Sequence, residues 1–291
     1  LPKLEELWIT ESNISSLPDE LQNLKSLREI WLDDNHFKEF PKILTKVSTL
    51  ESISLFSNSL NEIKIEKGDF PNLKYINLCY NQFKVFPTEL QQAKNLERVI
   101  IWYNEIEEIP NDINKMSKLS TLNLEHNKLR SFPSNFKKLN KLDILVLDKN
   151  NLTNNSILEI LKIKSLKELD IADNDLTEIP PEIGKLKKLT KLDLSYNQIG
   201  YLPVEMNNLQ CLEQIGLGKL TNMNWIQAFK ILSNLKSLSR VVMFSMGLKS
   251  MPYEFSSLQQ VKTFWLTFNS FGKEEKERIK RMVPNAELLF N

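Results

Sequence analysis

A period of 23 residues runs through this chain and decides most of what it can fold into. Aligning the first apolar residue of each copy gives Leu4, Leu27, Leu50, Leu73, Leu96, Leu119, Leu142, Leu166, Leu189, Leu212, Leu238 and Val261. Two steps differ, at 24 residues from Leu142 to Leu166 and 26 from Leu212 to Leu238. The ninth copy shows the pattern plainly, as Leu189-Thr-Lys-Leu-Asp-Leu-Ser-Tyr-Asn-Gln-Ile199 followed by Leu202-Pro203. Self-similarity at this period means stacked supersecondary units, because one copy cannot bury its own apolar face.

Within each copy, Leu192 and Leu194 alternate with Lys191, Asp193 and Ser195, which is the period of a strand with one buried face. The copies must therefore stack their strands into a parallel sheet. The pattern LxxLxLxxNxLxxLP, kept over essentially the whole chain, resembles the leucine-rich repeat family in its 23-residue LxxLP class. The resemblance implies a curved, right-handed β/α (3₁₀) solenoid with a concave parallel β-sheet. It also implies that the asparagine of each copy points inward and bonds backbone groups of the turn and of the next copy. That ladder comprises Asn35, Asn58, Asn81, Asn104, Asn127, Asn150, Asn174, Asn197 and Asn269, with breaks at Ser12, Leu220 and Met246.

The segments after the strands carry Leu/Ile/Phe-Pro pairs such as Leu17-Pro18, Phe86-Pro87 and Ile109-Pro110, with acids two residues on, as at Glu20, Glu89 and Asp112. Proline suits the first helical position and an acid suits the positive end of the helix. Single helical or 3₁₀ turns are expected there, except in the third copy, where Ile63-Lys64-Ile65 replaces the proline pair. The two lengthened copies carry capping-box patterns, Ser156-Ile-Leu-Glu159 and Asn224-Trp-Ile-Gln227, and predict true α-helices. The tenth copy also loses its asparagine, so a local disturbance of the stack is expected.

Residues 1–291 read as a single domain of about twelve copies, with a C-terminal cap over 272–291 and an apparently truncated N-terminus, since the chain begins in the tail of a copy. The cap is a strongly charged segment over Lys273 to Met282, with Ile279, Met282 and Val283 on one side and Pro284 as its stop, and a short strand at Glu287 to Phe290. Its run Glu274-Glu-Lys-Glu-Arg-Ile279, with Pro284-Asn285 following, resembles the tail of leucine-rich repeat proteins from leptospiral spirochaetes.

Lysine and arginine number 38 against 37 acids, a net charge of +1, so no global field favours nucleic acid. There is no apolar run of about 18 residues to cross a membrane. The two cysteines, Cys79 and Cys211, fall five copies apart. At ~4.8 Å per strand that exceeds the ~7 Å reach of a disulfide. Cys79 falls at an outward sheet position and is expected to react with thiol reagents. Extracellular animal members of the family usually carry disulfide-rich end caps. Their absence points to a bacterial or intracellular protein, and the spirochaete resemblance implies a secreted or surface setting.

No catalytic signature is present: there is no GxSxG, HExxH, P-loop or GxGxxG pattern. The only histidines are His36 and His126. Glu125, His126 and Asp148 fall close together on the expected sheet face, yet the spacing of a zinc site is missing, so neither a metal nor a cofactor is expected. The function the family implies is non-catalytic protein–protein recognition through the concave face. Outward sheet positions gather Trp8, Trp31, Phe56, Tyr75, Tyr80, Trp102 and Tyr103 in the first five copies, and Phe244, Trp265 and Phe268 near the end. Exposed aromatics in a group are the usual anchors of protein interfaces. Gly216 and Gly218 fall on one strand and mark either a bare patch or the distorted tenth copy.

An alternative function is polyanion binding, of the glycosaminoglycan kind, through a lysine stripe at the sheet edge. Its residues are Lys115, Lys118, Lys138, Lys141, Lys164, Lys185, Lys187 and Lys188. Against it, acids three residues earlier balance some of these lysines, as in Asp112/Lys115 and Glu182/Lys185. The expected partner is a protein, or a second copy of the chain, and neither nucleic acid nor membrane insertion is expected.

Overall fold

A computed structural model describes residues 3–290, which form two compact units divided between Leu145 and Val146. The first unit contains β1 (Glu6–Trp8), β2 (Glu29–Trp31), β3 (Ser52–Ser54), β4 (Tyr75–Asn77), β5 (Arg98–Ile100) and β6 (Thr121–Asn123), and the unit boundary falls within β7 (Ile144–Val146). These strands pair in parallel and in sequence order, with Leu7 opposite Ile30, Ile53 opposite Ile76 and Val99 opposite Leu122. The central residue of β2 to β6 is buried, and the residues flanking it stand on the open face. Register is fixed because a one-residue slip would turn every leucine to water.

Behind the sheet run 3₁₀ turns: Asp19–Asn23, Lys42–Lys46, Thr88–Gln92, Asn111–Lys115 and Phe136–Lys138. Each of the first four places an apolar residue, Leu21, Leu44, Leu90 or Ile113, in the core. The preceding prolines sit one position earlier than expected, at the cap, and Asp19, Glu20, Glu89 and Asp112 occupy first turns. The third copy has no helical turn, as its missing proline predicts, and fully buried Phe70 closes its core instead.

The second unit repeats the scheme with β8 (Glu168–Asp170), β9 (Lys191–Asp193), β10 (Gln214–Gly216), β11 (Arg240–Val242), β12 (Thr263–Trp265) and β13 (Glu287–Leu289). Leu169 lies opposite Leu192, Ile215 opposite Val241, and Phe264 opposite Leu288. Helix α1 (Trp225–Leu232) stands where the tenth copy predicts it, and helix α2 (Lys273–Met282) occupies the charged segment of the cap. Among the described residues no helix is long and apolar enough to cross a membrane.

The seventh copy departs from expectation. In place of an α-helix it has two short 3₁₀ turns, Ser156–Leu158 and Ile160–Lys162. The Ser156 hydroxyl does not cap forward; it accepts from the Thr153 amide at 3.1 Å. Length explains the contrast with α1. An α-helix advances 1.5 Å per residue and a 3₁₀ helix about 2.0 Å, so spanning one gap with α geometry takes more residues. Copy seven has one residue beyond the period and copy ten has three. In copy ten, Asn224 Oδ1 accepts from the Gln227 amide at 3.1 Å. The Gln227 side chain grips Leu202 instead of closing the box, donating to its carbonyl at 2.5 Å and accepting from its amide at 3.2 Å. The expected disturbance is absent from the sheet, since β10 keeps full register with β9 and β11. Leu220, fully buried in the asparagine position, fills that space with apolar contact.

The asparagine ladder is present in both units. Asn127 is typical: Nδ2 donates to the carbonyls of Ile101 (3.1 Å), Leu124 (3.0 Å) and Glu125 (3.1 Å), and Oδ1 accepts from the Ile106 amide (2.9 Å). One side chain thus joins its own turn to the preceding copy, and not to the next one as expected, because the groups it reaches lie 26 and 21 residues earlier in the chain. Asn81, Asn104 and Asn197 repeat the geometry.

The residue before each ladder position holds a left-handed backbone. The column runs Glu11, Asp34, Ser57, Tyr80, Tyr103, His126, Lys149, Asp173, Tyr196, Lys219, Ser245 and Phe268, with φ between 48° and 58°. A non-glycine residue there costs about 1–2 kcal/mol. The turn imposes this conformation in every copy, including those where Ser12, Leu220 and Met246 stand in the asparagine position, and the side chain before that position is tipped onto the rim of the open face.

Replacing Asn127 by alanine strands the four backbone groups it serves. The expected loss is ~1–3 kcal/mol of unfolding free energy, the penalty for unsatisfied buried polar groups. Lys128→Ala, which removes a solvent-exposed pair with Glu105 at 2.9 Å, should shift the denaturant midpoint far less. Equal midpoints for the two variants would contradict the ladder's role.

Candidate functional site

On the open face of the first unit, the aromatics that the sequence places outward touch one another. Trp8 and Trp31 stand directly opposite in register and stack at 4.7 Å with 13° between planes. Trp31 continues to Tyr75 at 6.5 Å. Phe56, Tyr80 and Trp102 form a triangle with centroids 4.9 to 6.1 Å apart. Along the rim, the left-handed column stacks Tyr80 on Tyr103 at 4.4 Å and Tyr103 on His126 at 3.6 Å. All seven residues of the expected cluster are thus brought together, in two contacting groups, and His126 joins them as an aromatic.

Much of this aromatic surface covers smaller residues. Phe56 and Trp102 lie at the ends of β3 and β5, two strands apart, or ~9.6 Å at the usual spacing. Their rings nevertheless approach to 6.1 Å, leaning toward each other above Cys79 of the intervening copy. Cys79 is fully buried as a result, and burial pushes its thiol pKa far up. The expectation of a reactive Cys79 is therefore corrected: the position faces outward along the strand, but its neighbours roof it. Ser54, opposite Trp31 on β2 and Asn77 on β4, is also buried, at 1% exposed. Trp8 and Tyr80 remain exposed, at 59% and 40%, while Trp31, Phe56, Tyr75, Trp102 and Tyr103 are half-buried.

A polar seam runs beneath the rings. Asp33 Oδ1 accepts from the Ser54 hydroxyl (2.5 Å) and the Phe56 amide (3.0 Å). Asn77 donates to Ser54 Oγ and accepts from the Cys79 amide, both at 3.1 Å. Burial raises the Asp33 carboxyl above its ordinary value, against the opposing pull of those hydrogen bonds. At the edge of the cluster the Arg98 guanidinium lies 5.2 Å over the Tyr75 ring.

The second cluster is looser. Trp265 is 44% exposed and Phe268 71%, but Phe244 is half-buried and pairs with Tyr196 at 5.4 Å. Gly216 and Gly218 do not form a bare patch. An added Cβ would meet the Asp193 carboxylate at 2.3 Å on Gly216 and the Phe244 ring at 2.4 Å on Gly218. Their missing side chains make room for those neighbours, so the glycines are packing devices. The eight lysines of the expected stripe are all exposed. Lys115 pairs with Asp112 at 2.7 Å and Lys185 with Glu182 at 3.6 Å, as their spacing predicts, and Lys118 donates to Asn95 at 2.5 Å.

Two features escaped the sequence reading. Where copy three lacks its turn, a groove of about 580 Å³ opens beside Ile63, Val85 and Phe86. In the second unit, apolar residues stand exposed at the starts of the rear turns, at Val204, Ile226 and Tyr253. The signal was an apolar residue directly after Pro203 and Pro252, where earlier copies have Asp19, Lys42, Thr88 and Asn111. Among the described residues no group of three potential ligands is placed to hold a metal ion.

Cys211 is exposed and Cys79 buried, and neither is in a disulfide. Titration of the native chain with a thiol reagent should therefore modify one cysteine, Cys211, and denaturant should release the second. Rapid native labelling of Cys79, located by peptide mapping, would contradict the aromatic roof.

The arrangement of parallel three-residue strands, rear 3₁₀ turns and inward asparagines has known counterparts. A leucine-rich repeat region model matches residues 144–285, and a leucine rich repeat model matches residues 94–152. No curated protein matches the chain. Among solved structures, a leucine-rich repeat protein of Leptospira interrogans is similar over 94% of this chain and 75% of its own, with 29% identity and a TM-score of 0.78. The functional domain of InlJ from Listeria monocytogenes shares the fold over 99% of this chain and 58% of its own, at 21% identity and TM-score 0.70. The Arabidopsis receptor kinase HAESA, in complex with the peptide hormone IDA and the co-receptor SERK1, shares it over 89% and 46%, at 23% identity and TM-score 0.65. Proteins with this fold are generally recognition modules and typically non-catalytic. With its repeats matched by family models in both units and its ladder geometry intact, the chain belongs to the leucine-rich repeat family.

Proposed function

We propose that this chain is a non-catalytic recognition protein that holds a protein partner on the open sheet face of its first unit. The observation that carries the reading is the contacting aromatic surface from Trp8 to Tyr103, partly exposed and built on consecutive strands. Rings held by one another lose little freedom on binding, which suits them as anchors. The face lies opposite the rear turns, so a partner can cover it without disturbing the leucine core. The second-unit residues Trp265 and Phe268 offer a smaller apolar surface of the same kind.

The polyanion reading is less well supported, because Lys115 and Lys185 already have acidic neighbours. A secreted or bacterial-surface setting, where the partner is a host or bacterial protein, is the context that the likeness to the Leptospira protein favours.

The test uses the purified chain as bait and a direct affinity measurement on the protein it retains. Tyr80→Ala with Trp102→Ala should weaken that affinity about 30-fold or more, since a single interface hot spot contributes ~2 kcal/mol or more. The unfolding temperature should fall modestly, because each aromatic contact adds about 0.5–1.5 kcal/mol. Lys185, Lys187 and Lys188 to alanine should leave affinity unchanged. Unchanged binding by the aromatic variant, with loss in the lysine variant and at raised salt, would favour the polyanion function instead.

A further inference from the structure

The chain as a whole is nearly neutral, with 38 basic and 37 acidic residues. The open face of the first unit is not. The outward positions of β1 to β6, and the residues that follow each strand up to the ladder asparagine, carry six carboxylates: Glu6, Glu11, Glu29, Asp33, Asp34 and Glu125. Arg98 is the single lysine or arginine at those positions. The imbalance is therefore a property of this face and does not follow from composition.

The carboxylates also bracket the rings. Asp33 and Asp34 close β2 on one side of Phe56, and Glu125 follows β6 on the far side of Trp102 and Tyr103. Arg98 shows what such a surface accepts. Its guanidinium lies 5.2 Å over the Tyr75 ring, whose other neighbour is Trp31. A cation over an aromatic face is attracted by the ring quadrupole, and nearby carboxylates add to the attraction. An acidic partner would meet like charge at both ends of the aromatic surface.

We infer that the partner held by this face presents a cationic segment, bearing arginine or lysine, whose charged heads lie against the rings between Asp34 and Glu125. The inference rests on the reading that this face is the binding surface, and it adds the partner's chemistry. Arginine should be preferred to lysine, because a planar guanidinium can stack on a ring and pair with a carboxylate together.

The experiment titrates the purified chain, by calorimetry, with four synthetic peptides of equal length that alternate glycine with arginine, lysine, glutamine or glutamate. Arginine should bind best, lysine several-fold more weakly, and glutamate not at all. Asp34→Asn with Glu125→Gln should weaken arginine-peptide binding about tenfold or more, as should Trp102→Ala. Glu20→Gln with Glu89→Gln, on the rear turns, should have no such effect. Circular dichroism and thermal melts establish that each variant is folded. Equal weakening by the rear-turn variant, or no preference for arginine over glutamate, would overturn the inference. The retained protein partner separates this failure from that of the underlying reading. If Trp102→Ala abolishes partner binding while Asp34→Asn with Glu125→Gln leaves it intact, the face binds protein but not through cations. If neither change matters, the face is not the binding surface.

Discussion

The asparagine ladder is the interaction on which the rest of this structure depends. Every copy must turn the chain sharply away from a three-residue strand, and that turn leaves carbonyls and amides inside the protein with no strand to pair with. Asn127 reaches carbonyls 2, 3 and 26 residues before it and an amide 21 residues before it, all within 3.1 Å. The separations of 26 and 21 flank the 23-residue period, so the same side chain that satisfies its own turn also clamps the previous copy. Backbone groups buried without such partners would each be costly enough to matter against the marginal stability of a folded domain.

The ladder has a consequence for function. In the turn that carries it, the residue before the ladder position adopts a left-handed backbone, whatever its side chain and whether or not an asparagine follows. Tyrosine at this position in copies four and five therefore stands on the rim in a fixed direction, and Tyr80 stacks on Tyr103. A conformation needed for stability thus holds part of the candidate binding surface rigid. The price is that bulky residues occupy a backbone region that favours glycine.

Where the repeat gains residues, the rear of the stack changes while the front does not. One extra residue yields a second 3₁₀ turn, three yield an eight-residue α-helix, and β10 keeps its register beside the latter. The sheet constrains spacing through hydrogen bonds every residue, whereas the rear is held by apolar contact, which tolerates substitutions of shape. Variation is therefore confined to the rear turns, as in the groove at copy three and the exposed Val204, Ile226 and Tyr253.

The sequence by itself determined the repeat, the parallel strands, the inward asparagines, the missing turn of copy three, helix α1 and the C-terminal cap. Each follows from a period or a local pattern that the chain carries many times or at a helix end. It also determined which aromatics stand on the open face, because alternation along a strand assigns faces without knowledge of neighbours. Only the tertiary structure decided how much of each remains accessible. Cys79 has an outward position and is nonetheless buried, because rings from the copies on either side converge above it. The room beside Gly216 and Gly218 was likewise taken by Asp193 and Phe244. The capping pattern at Ser156 was outweighed by the length of chain available to span the rear of its copy. For Cys79 and the two glycines the deciding contact joins residues about one or two periods apart, and a pattern within a single copy cannot express how side chains of adjacent copies lean together.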